Sequence, residues 1–551
     1  MSGDNIGRTR PARTRAKTEP GPEQTDQPSA SWSTQLSPSR ALRLPFAFTL
    51  GLAAFGLLPP VRQNPHLLWA FGGAAATLFA WNAVLFRSAL RNRRTLTLAI
   101  ALKKQHYLQA CAQCSVLVYW GVYWSPVSDS AYLIAGQLVF AYAFDTLLGW
   151  TRRDTYTIGF APFPVIFSIN LFLWFKSDWF YLQFLMVALG FAAKELIRWD
   201  KEGRRTHIFN PSSFPLAVFS LGLILTDTAG ITWGPEIATT QFFPPHMYVM
   251  LFLIGLPGQF FFGVTSMTMS AVVATYLFGL VYFAMTGVYF FFESYIPIAV
   301  FLGMHLLFTD PSTSPRTELG RLIFGTLYGL STVLLYSMLT SMGAPTFYDK
   351  LLQVPILNLS IKLIDRAARS EALRAFNPAA LGRSLAPRQR NLAYMSIWAI
   401  VFGVMSAAQG VGDGHRGQFV PFWQQACAEE RPYACPYLEN MQQTYCVRGS
   451  GWACNEFGVL LAQRELDLGG AAEVFQRGCD LGFRAGCANG GIVRAGAGTF
   501  DRPPPTLNDY PLILRGTKGP ISDRTPSTLY ARACQQGWPG TCGQNGGSGA
   551  Q

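Results

Sequence analysis

Apolar residues along this chain come in runs, and the runs are long. Stretches of mostly Leu, Phe, Ala, Val and Ile occupy 44–59, 67–86, 107–125, 131–150, 157–175, 179–197, 213–230, 247–262, 268–289, 294–309, 322–340 and 391–409. An α-helix needs roughly 17–25 such residues to cross the ~30 Å hydrocarbon core of a bilayer, so each run predicts a membrane span. A thirteenth run, LLQVPILNLSIKLI at 351–364, is short and broken by polar residues. The pattern changes at both ends. The first 40 residues, rich in Pro, Ser, Thr and Arg, have too few large apolar side chains to bury a core and read as a disordered cytoplasmic tail. No A-x-A-type cleavage site follows the first run, which therefore reads as a retained span. After residue 410 the runs give way to short segments punctuated by Cys, Gly and Pro.

Composition agrees with this reading. Half of the 551 residues are hydrophobic and only 14% are charged. The net charge of +13 gives no nucleic-acid signal, because the basic residues lie in short stretches between the apolar runs and form no reader motif. Their placement sets orientation instead. Arg87, Arg91, Arg93, Arg94, Lys103 and Lys104, then Arg152 and Arg153, then Arg198, Lys201, Arg204 and Arg205 all fall in the segments that an N-inside count places in the cytoplasm, while the intervening loops at 125–130 and 226–246 contain no Lys or Arg. This is the positive-inside pattern with the N-terminus in the cytoplasm. Counting 351–364 as a crossing puts Arg366, Arg369, Arg374, Arg383, Arg388 and Arg390 inside and sends the final span outward.

The outward C-terminus suits its sulfur chemistry. Eight of the ten cysteines follow the last span, paired at one spacing: Cys427 with Cys435, Cys446 with Cys454, Cys479 with Cys487, and Cys534 with Cys542, each C-x7-C. Along one helix eight residues rise about 12 Å, too far for a disulfide, so the chain must reverse between each pair. The intervening AEERPYA, VRGSGWA, DLGFRAG and QQGWPGT all carry Gly or Pro. Each bridge is then expected to staple the end of one helix to the start of the next, offsetting a small core. Zinc fits poorly: structural sites favour C-x2–4-C pairs with further ligands, and this tail has only His415. The segment AAEVFQRGCDLGFRAGCANGG resembles the Sel-like, tetratricopeptide-related repeats of bacterial cysteine-rich secreted proteins. The likeness is best over 420–490, and the 33-residue step from Cys446 to Cys479 has the length of such a helix pair. It degrades toward the Pro-rich insert at 503–505 and the 55-residue step to Cys534. Such repeats imply partner binding and no catalysis.

Four stretches of the membrane portion match a second family in order. FLGMHLLFTDPSTSPRTELGRLIFGTLYGL at 301–330 carries Thr309, Asp310, Pro311, Thr313, Gly320 and Gly325. AAKELIRWDKEGRRTHIFNPSSF carries Lys194, Glu195 and the Phe209-Asn210-Pro211 turn; LPGQFFFGVTSMTMSA at 256–271 includes Thr265; PTFYDKLLQVPILNLSIKLIDR ends the region. Over about 140–365 these resemble the NqrB/RnfD family, membrane flavin subunits of ion-translocating electron-transport complexes. The last stretch looks like that family's final short span. The resemblance implies FMN or another flavin as cofactor, other electron-transport subunits as partners, and Thr232, Asn210, Thr265 and Asp310 as cofactor-binding positions. In the family FMN joins a Thr hydroxyl in an outer Ser-Gly-Ala-Thr motif. Here Asp227-Thr228-Ala229-Gly230-Ile231-Thr232 occupies that loop, with Ala229 for Ser and Ile231 for Ala.

Ionisable groups at membrane depth are costly and so are functional candidates by default. Asp145, Lys194, Glu195, Glu293, His305 and Asp310 lie in or beside spans. Lys194, Glu195 and Glu293 suit span edges, Asp145 an ion path or a packing role, and Asp310 a turn with Ser312 or Thr313. His207, His246 and His305 are the residues that a haem would need, but His207 and His246 fall on opposite faces. Cys111 and Cys114 form CAQC and read as small packing residues. Walker A, Rossmann and HExxH patterns are absent from the sequence, no metal is predicted and no catalytic residue is assigned.

The expected fold is all-α: a polytopic membrane helix bundle of about 12–13 spans plus a small disulfide-stapled α-helical solenoid. The expected order is a tail at 1–40, additional spans at 41–130, an NqrB/RnfD-like core at 131–365, a basic cytoplasmic loop at 366–390, a final span at 391–409 and repeats at 415–545. The setting is the inner membrane of a bacterium, with the repeats periplasmic or extracellular. Two functions fit: a flavin-related electron-transport component with an outward interaction domain, or a cofactor-free anchor presenting the repeats to a partner. A small-solute transporter is a third.

Overall fold

The computed structural model describes residues 32–201, 203–378, 385–408, 410–465, 467–496, 498–514 and 524–543. Most of the predicted tail, Arg383 and the last residues of the repeat region lie outside these.

Every one of the thirteen apolar runs contains helix, and among the described residues five helices are long and apolar enough to cross a membrane: Pro38–Leu57, Pro65–Arg91, Ala131–Arg152, Thr265–Thr286 and Glu318–Ser341. Local chemistry sets several ends. Asn64 accepts hydrogen bonds from the amides of His66 and Leu67 at 3.0 and 3.2 Å, with Pro65 in the first turn, and so starts the second span. Thr317 caps Glu318–Ser341 through the Gly320 amide at 3.1 Å, and Asp365 accepts from the Arg316 and Thr317 amides and the Thr317 hydroxyl. A carboxylate at that helix N-terminus is stabilised by the backbone dipole, which ties the doubtful 351–364 run, now helix Gln353–Ala368, into the bundle.

The outside of the bundle is apolar. Trp69 and Met285 are 79% and 80% exposed, and Val122, Leu225, Leu334, Ile356 and Ile400 share that surface. In water such a belt would aggregate; against lipid tails it is solvated. Inside, helices approach closely through glycine. A Cβ on Gly325 would lie 2.1 Å from the Met267 carbonyl, and one on Gly329 would lie 2.5 Å from that of Ala271. The G-x3-G pair thus lets Glu318–Ser341 pack backbone to backbone on Thr265–Thr286.

Some spans are broken. The 157–175 run opens in a strand, is helical only over Pro162–Asn170 and then runs on without helix to Phe175. The 294–309 run is helix Ile298–Leu302 followed by one π-helical turn, Gly303–Leu307. Irregular backbone at membrane depth survives only where protein covers it and satisfies its polar groups. Leu171 to Phe175 are indeed buried, and Gln241 donates to the Leu171 carbonyl at 2.7 Å while Gln183 accepts from the Phe175 amide at 3.1 Å.

Two small sheets accompany the helices of this otherwise all-α fold. β1 (Trp32–Leu36) pairs antiparallel with β2 (Leu96–Ile100), which pairs parallel with β3 (Thr155–Ile158). Residues 32–40, expected to be disordered, are therefore held as β1 and the start of a helix; β2 supplies the backbone partners that composition cannot reveal. The basic stretch after Glu195 is a hairpin, β4 (Arg198–Lys201) with β5 (Arg204–His207).

Beyond helix Pro387–Ala407 come the repeat helices Val420–Ala428, Ala434–Val447, Gly451–Leu460, Leu468–Asp480, Arg484–Ala495 and Pro526–Gln535. All four C-x7-C pairs are bridged. Cys427 joins Cys435 with their Cα atoms 4.6 Å apart, Cys446 joins Cys454 at 4.5 Å, Cys479 joins Cys487 at 4.6 Å, and Cys534 joins Cys542 at 4.9 Å. The first three bridges connect consecutive helices as expected. The fourth departs from that expectation: Cys542 lies in no helix, and its bridge closes the turn after the last one. The 55-residue step is a fold-back. Asp509 accepts from the Ser450 hydroxyl at 2.7 Å, the Trp452 amide at 3.0 Å and the Thr506 hydroxyl at 2.6 Å, while Trp538 packs edge-on to Trp452 and Tyr510 in turn meets Trp538.

Candidate functional site

The bundle has two faces, one bearing the β4–β5 hairpin and one bearing the repeats. Asn210 and Asp310 come together on the hairpin face. The Asn210 Oδ1 accepts from the Ser212 amide and hydroxyl and the Ser213 amide, its Nδ2 donates to the Leu307 carbonyl at 3.0 Å, and its amide donates to Asn358 Oδ1 at 3.1 Å. Asn358 donates in turn to the Thr313 carbonyl at 3.2 Å. Three of the four stretches behind the NqrB/RnfD resemblance therefore interlock around 305–314. Pro211 packs its carbonyl against Gly190, where a Cβ would sit 2.3 Å away, which draws in the helix that carries Lys194 and Glu195.

Asp310 turns as expected, accepting from the Ser312 amide at 3.0 Å, and its second oxygen lies 3.6 Å from His207 Nε2. Burial pushes its carboxyl up, but the hydrogen bond and charge of His207 and the Ser312 amide outweigh this and leave it below its ordinary value. His106 stands within electrostatic range of the pair, and Lys103 and Lys194 stand within range of His106. Burial, followed by the charge of Lys194, lowers Lys103.

Thr265 lies deeper, fully buried at the start of its helix, and its hydroxyl has no hydrogen-bond partner among the described residues. Thr232 lies elsewhere. It follows helix Ser213–Leu225, whose thirteen residues separate it from Asn210 by about 20 Å of rise, on the repeat-bearing side. Its hydroxyl is fully buried, donates to the Ala229 carbonyl at 2.8 Å and accepts from the Gly234 amide at 3.3 Å, and its backbone bridges Phe175. A phosphoester needs an open hydroxyl with small neighbours. As folded, this loop does not fit one.

The remaining polar candidates are mostly structural. Asp145 accepts from the Tyr156 hydroxyl at 3.2 Å, which fastens β3 to its span. Glu195 pairs with Arg153 and Arg198 at 2.8 and 2.7 Å, and Lys194 sits over the Phe191 ring. Cys111 and Cys114 are free and exposed on the bundle surface. The eight repeat cysteines belong to no site on the bundle. Cys427, Cys435, Cys446, Cys454, Cys479, Cys487, Cys534 and Cys542 are all consumed in disulfides, which leaves none of them as a thiolate ligand or nucleophile. His246 meets Asp413 at 3.1 Å, away from His207.

Sequence reasoning missed the junction between bundle and repeats. The segment between helix Thr265–Thr286 and Ile298 is aromatic, and the repeats sit on it. Phe292 stacks on Tyr437 with ring centroids 4.5 Å apart and leans on Trp423 at 5.8 Å. Tyr289 meets His415 at 4.2 Å, and a Cβ on Gly417 would lie 2.2 Å from the Phe292 carbonyl. Phe292 holds a left-handed backbone, φ 60°, a strained state for a non-glycine residue that packing must maintain. The concentration of aromatic residues at 289–295 was the signal available in the sequence.

These features define a class: a polytopic helical membrane protein whose disulfide-bridged helical domain is packed directly onto one face of its bundle. Comparison with protein families, with curated proteins and with solved structures finds no match for this chain. The resemblance to the NqrB/RnfD family thus rests on the residues quoted above.

Proposed function

We propose that this chain is a membrane-embedded scaffold that presents its disulfide-stapled repeats, in a fixed orientation on the non-cytoplasmic side, to a protein partner. The observation that carries this reading is the aromatic junction. A tethered domain would hang on a free linker, whereas here Phe292, Tyr289 and Gly417 lock the first repeat helices to the bundle. Holding a recognition surface rigid lowers the entropy lost on binding. The oxidising side of the membrane suits four disulfides, and the positive-inside pattern favours that side for the repeats.

The test places a photo-crosslinking amino acid at Tyr433 or Leu481, both exposed on the repeats, in cells. One discrete adduct, lost when Phe292→Ala loosens the junction, supports the scaffold; crosslinks only to lipid or none at all would refute it.

A second reading, an electron-transport component related to the NqrB/RnfD family, is favoured by the interlocking of three family-like stretches around Asn210, Asn358 and Asp310. In that reading a flavin supplies the redox chemistry and Asn210, Thr265 and Asp310 shape its surroundings, while Thr232 accepts its phosphate only after the loop opens. Ultraviolet illumination of a denaturing gel decides it: a fluorescent band abolished by Thr232→Ala supports covalent flavin, and a purified protein free of flavin returns the choice to the scaffold.

A further inference from the structure

A small cavity lies in the bundle beside Thr309 and His305. It has a volume of about 20 Å³ and is lined by Gln109 and Ala112 of helix Lys104–Tyr123, Gly255, Gly258 and Gln259 of helix Met247–Phe262, and His305 and Thr309. That volume suffices for one water, provided polar groups hold it. They are present. His305 is 3% exposed and Gln259 1%, yet His305 Nε2 and both amide atoms of Gln259 have no hydrogen-bond partner among the described residues. The two side chains are neighbours, since a Cβ on Gly255 would lie 3.0 Å from His305 Cδ2 and 3.4 Å from Gln259 Nε2. Three polar atoms without partners in an apolar interior are destabilising, and a bound water removes most of that cost.

The imidazole's protonation is set by its other nitrogen. Nδ1 lies 2.8 Å from the Phe301 carbonyl, its i−4 neighbour, and must carry the hydrogen. Nε2 is therefore a bare lone pair facing the cavity. His305 also sits in the π-helical turn Gly303–Leu307, an irregularity that commonly marks functional positions. The two broken spans meet beside it: Gln113 donates to the Ser168 hydroxyl at 2.8 Å and to the Leu306 carbonyl at 3.4 Å.

A polar stripe leads from the hairpin face to this point. His106, Gln109 and Gln113 recur at helical spacing on one helix, opposite Asp310, Thr309 and His305 on the other segment, with His207 and Asp310 at the mouth. The groups facing His305 from its neighbours are few. Helix Met247–Phe262 contributes Gln259, helix Lys104–Tyr123 contributes Gln109, and helix Pro387–Ala407 contributes Trp398, whose ring lies 5.9 Å from the imidazole; helix Thr265–Thr286 also packs on this turn.

We propose that the cavity binds a water between His305 and Gln259 and that His305 is the inner end of a proton half-channel entering from the hairpin face. A hydronium at the hairpin face gives up a proton to the stripe. At its inner end the cavity water breaks one O–H bond as Nε2 forms its N–H bond, and the proton arriving along the stripe restores the water. The net change is one hydronium converted to water and one imidazole to imidazolium, with no electron moved. This activity is independent of whether the chain is a scaffold or a flavoprotein.

The experiment is water-edited solid-state nuclear magnetic resonance on the full chain in lipid nanodiscs, with 15N-labelled histidine. His305→Gln assigns the signal. The expected wild-type result is an imidazole with hydrogen on Nδ1 that receives magnetisation from water and becomes doubly protonated as the pH is lowered. Gly258→Val plugs the cavity; its Cβ would meet only the Phe262 ring, at 3.5 Å, so the bundle tolerates it. In that variant the water transfer disappears while the Nδ1–H form persists. A wild-type His305 signal that never contacts water, or one that titrates unchanged in Gly258→Val, overturns the proposal.

Discussion

The membrane bundle and the repeat domain solve the same problem, holding short helices together, by different means. In the bundle the water-driven force between helices is absent, so cohesion comes from close backbone contact at Gly325 and Gly329 and from buried amide networks such as Gln137, Asn170 and Gln183. In the repeats water is available, but each helix pair is too small to bury much, and four disulfides supply the difference. A treatment that removes one kind of cohesion should therefore leave the other region standing.

Reduction tests this most severely. Each bridge joins cysteines 8 positions apart and is worth about 2.5 kcal/mol by loop entropy alone. Losing all four is expected to unfold the repeats in mild detergent while the bundle stays intact. Limited proteolysis should show a protected membrane fragment ending after helix Pro387–Ala407; equal degradation of both regions would mean that the two do not stand separately.

The converse is Gly325→Leu. A side chain there meets the Met267 carbonyl, which is helix backbone and unable to yield, and the Ser270 hydroxyl. Overpacking of this kind costs about 3 kcal/mol and should lower the bundle's thermal midpoint, with all four disulfides still forming. Gly72→Leu, where nothing lies within 4 Å of the added Cβ, serves as the control.

How much of this contrast the sequence announced differs by region. The spans were legible because length and apolarity are what a bilayer demands, and the bridges because one spacing recurs four times. The broken helices at 162–170 and 298–307 were not legible: their apolar residues satisfy a span template whether or not the backbone stays helical, and only the buried partners Gln183 and Gln241 reveal the break. β1 was hidden because three of its five residues, Ser33, Thr34 and Gln35, are polar and its stability lies in distant β2. At the candidate site, Asn210 and Asp310 stood out because they lie in the stretches that resemble the NqrB/RnfD family, and turn chemistry gave Asp310's capping role, whereas the unpartnered Gln259 carries no pattern that a sequence displays. Thr232 was selected as the loop position nearest the resembling family's Thr, and its backbone pairing with Phe175, which lies 57 positions earlier, has no signal in the sequence.

The junction joins the two regions and should respond more weakly than either. Phe292→Ala removes the ring stacked on Tyr437 and part of the packing on Trp423, a loss of about 2 kcal/mol for a half-buried aromatic. Spin labels on the repeats and the bundle should report a broadened distance distribution, with both regions still folded. An unchanged distribution would place the rigidity elsewhere and weaken the scaffold reading.

Acid should loosen the same junction without any mutation. His415 is buried between Tyr289 and Tyr295, its Nδ1 accepts from the Gly417 amide at 3.1 Å, and burial pushes its pKa down to about 4 against the hydrogen bond to the Glu293 backbone. A released linker would expose an ordinary imidazole near 6.5, which takes up a proton first. The docked state's advantage is thus complete above about pH 6.5 and is lost progressively as the pH falls toward 4. At about pH 5.5 roughly 1.4 kcal/mol should already be gone, less than Phe292→Ala removes. Proteolytic cleavage between Pro387–Ala407 and Val420 should accelerate over that window in the wild type. In His415→Asn, which keeps an acceptor but cannot titrate, the rate should be flat; a wild type equally flat would show that the imidazole does not hold the linker.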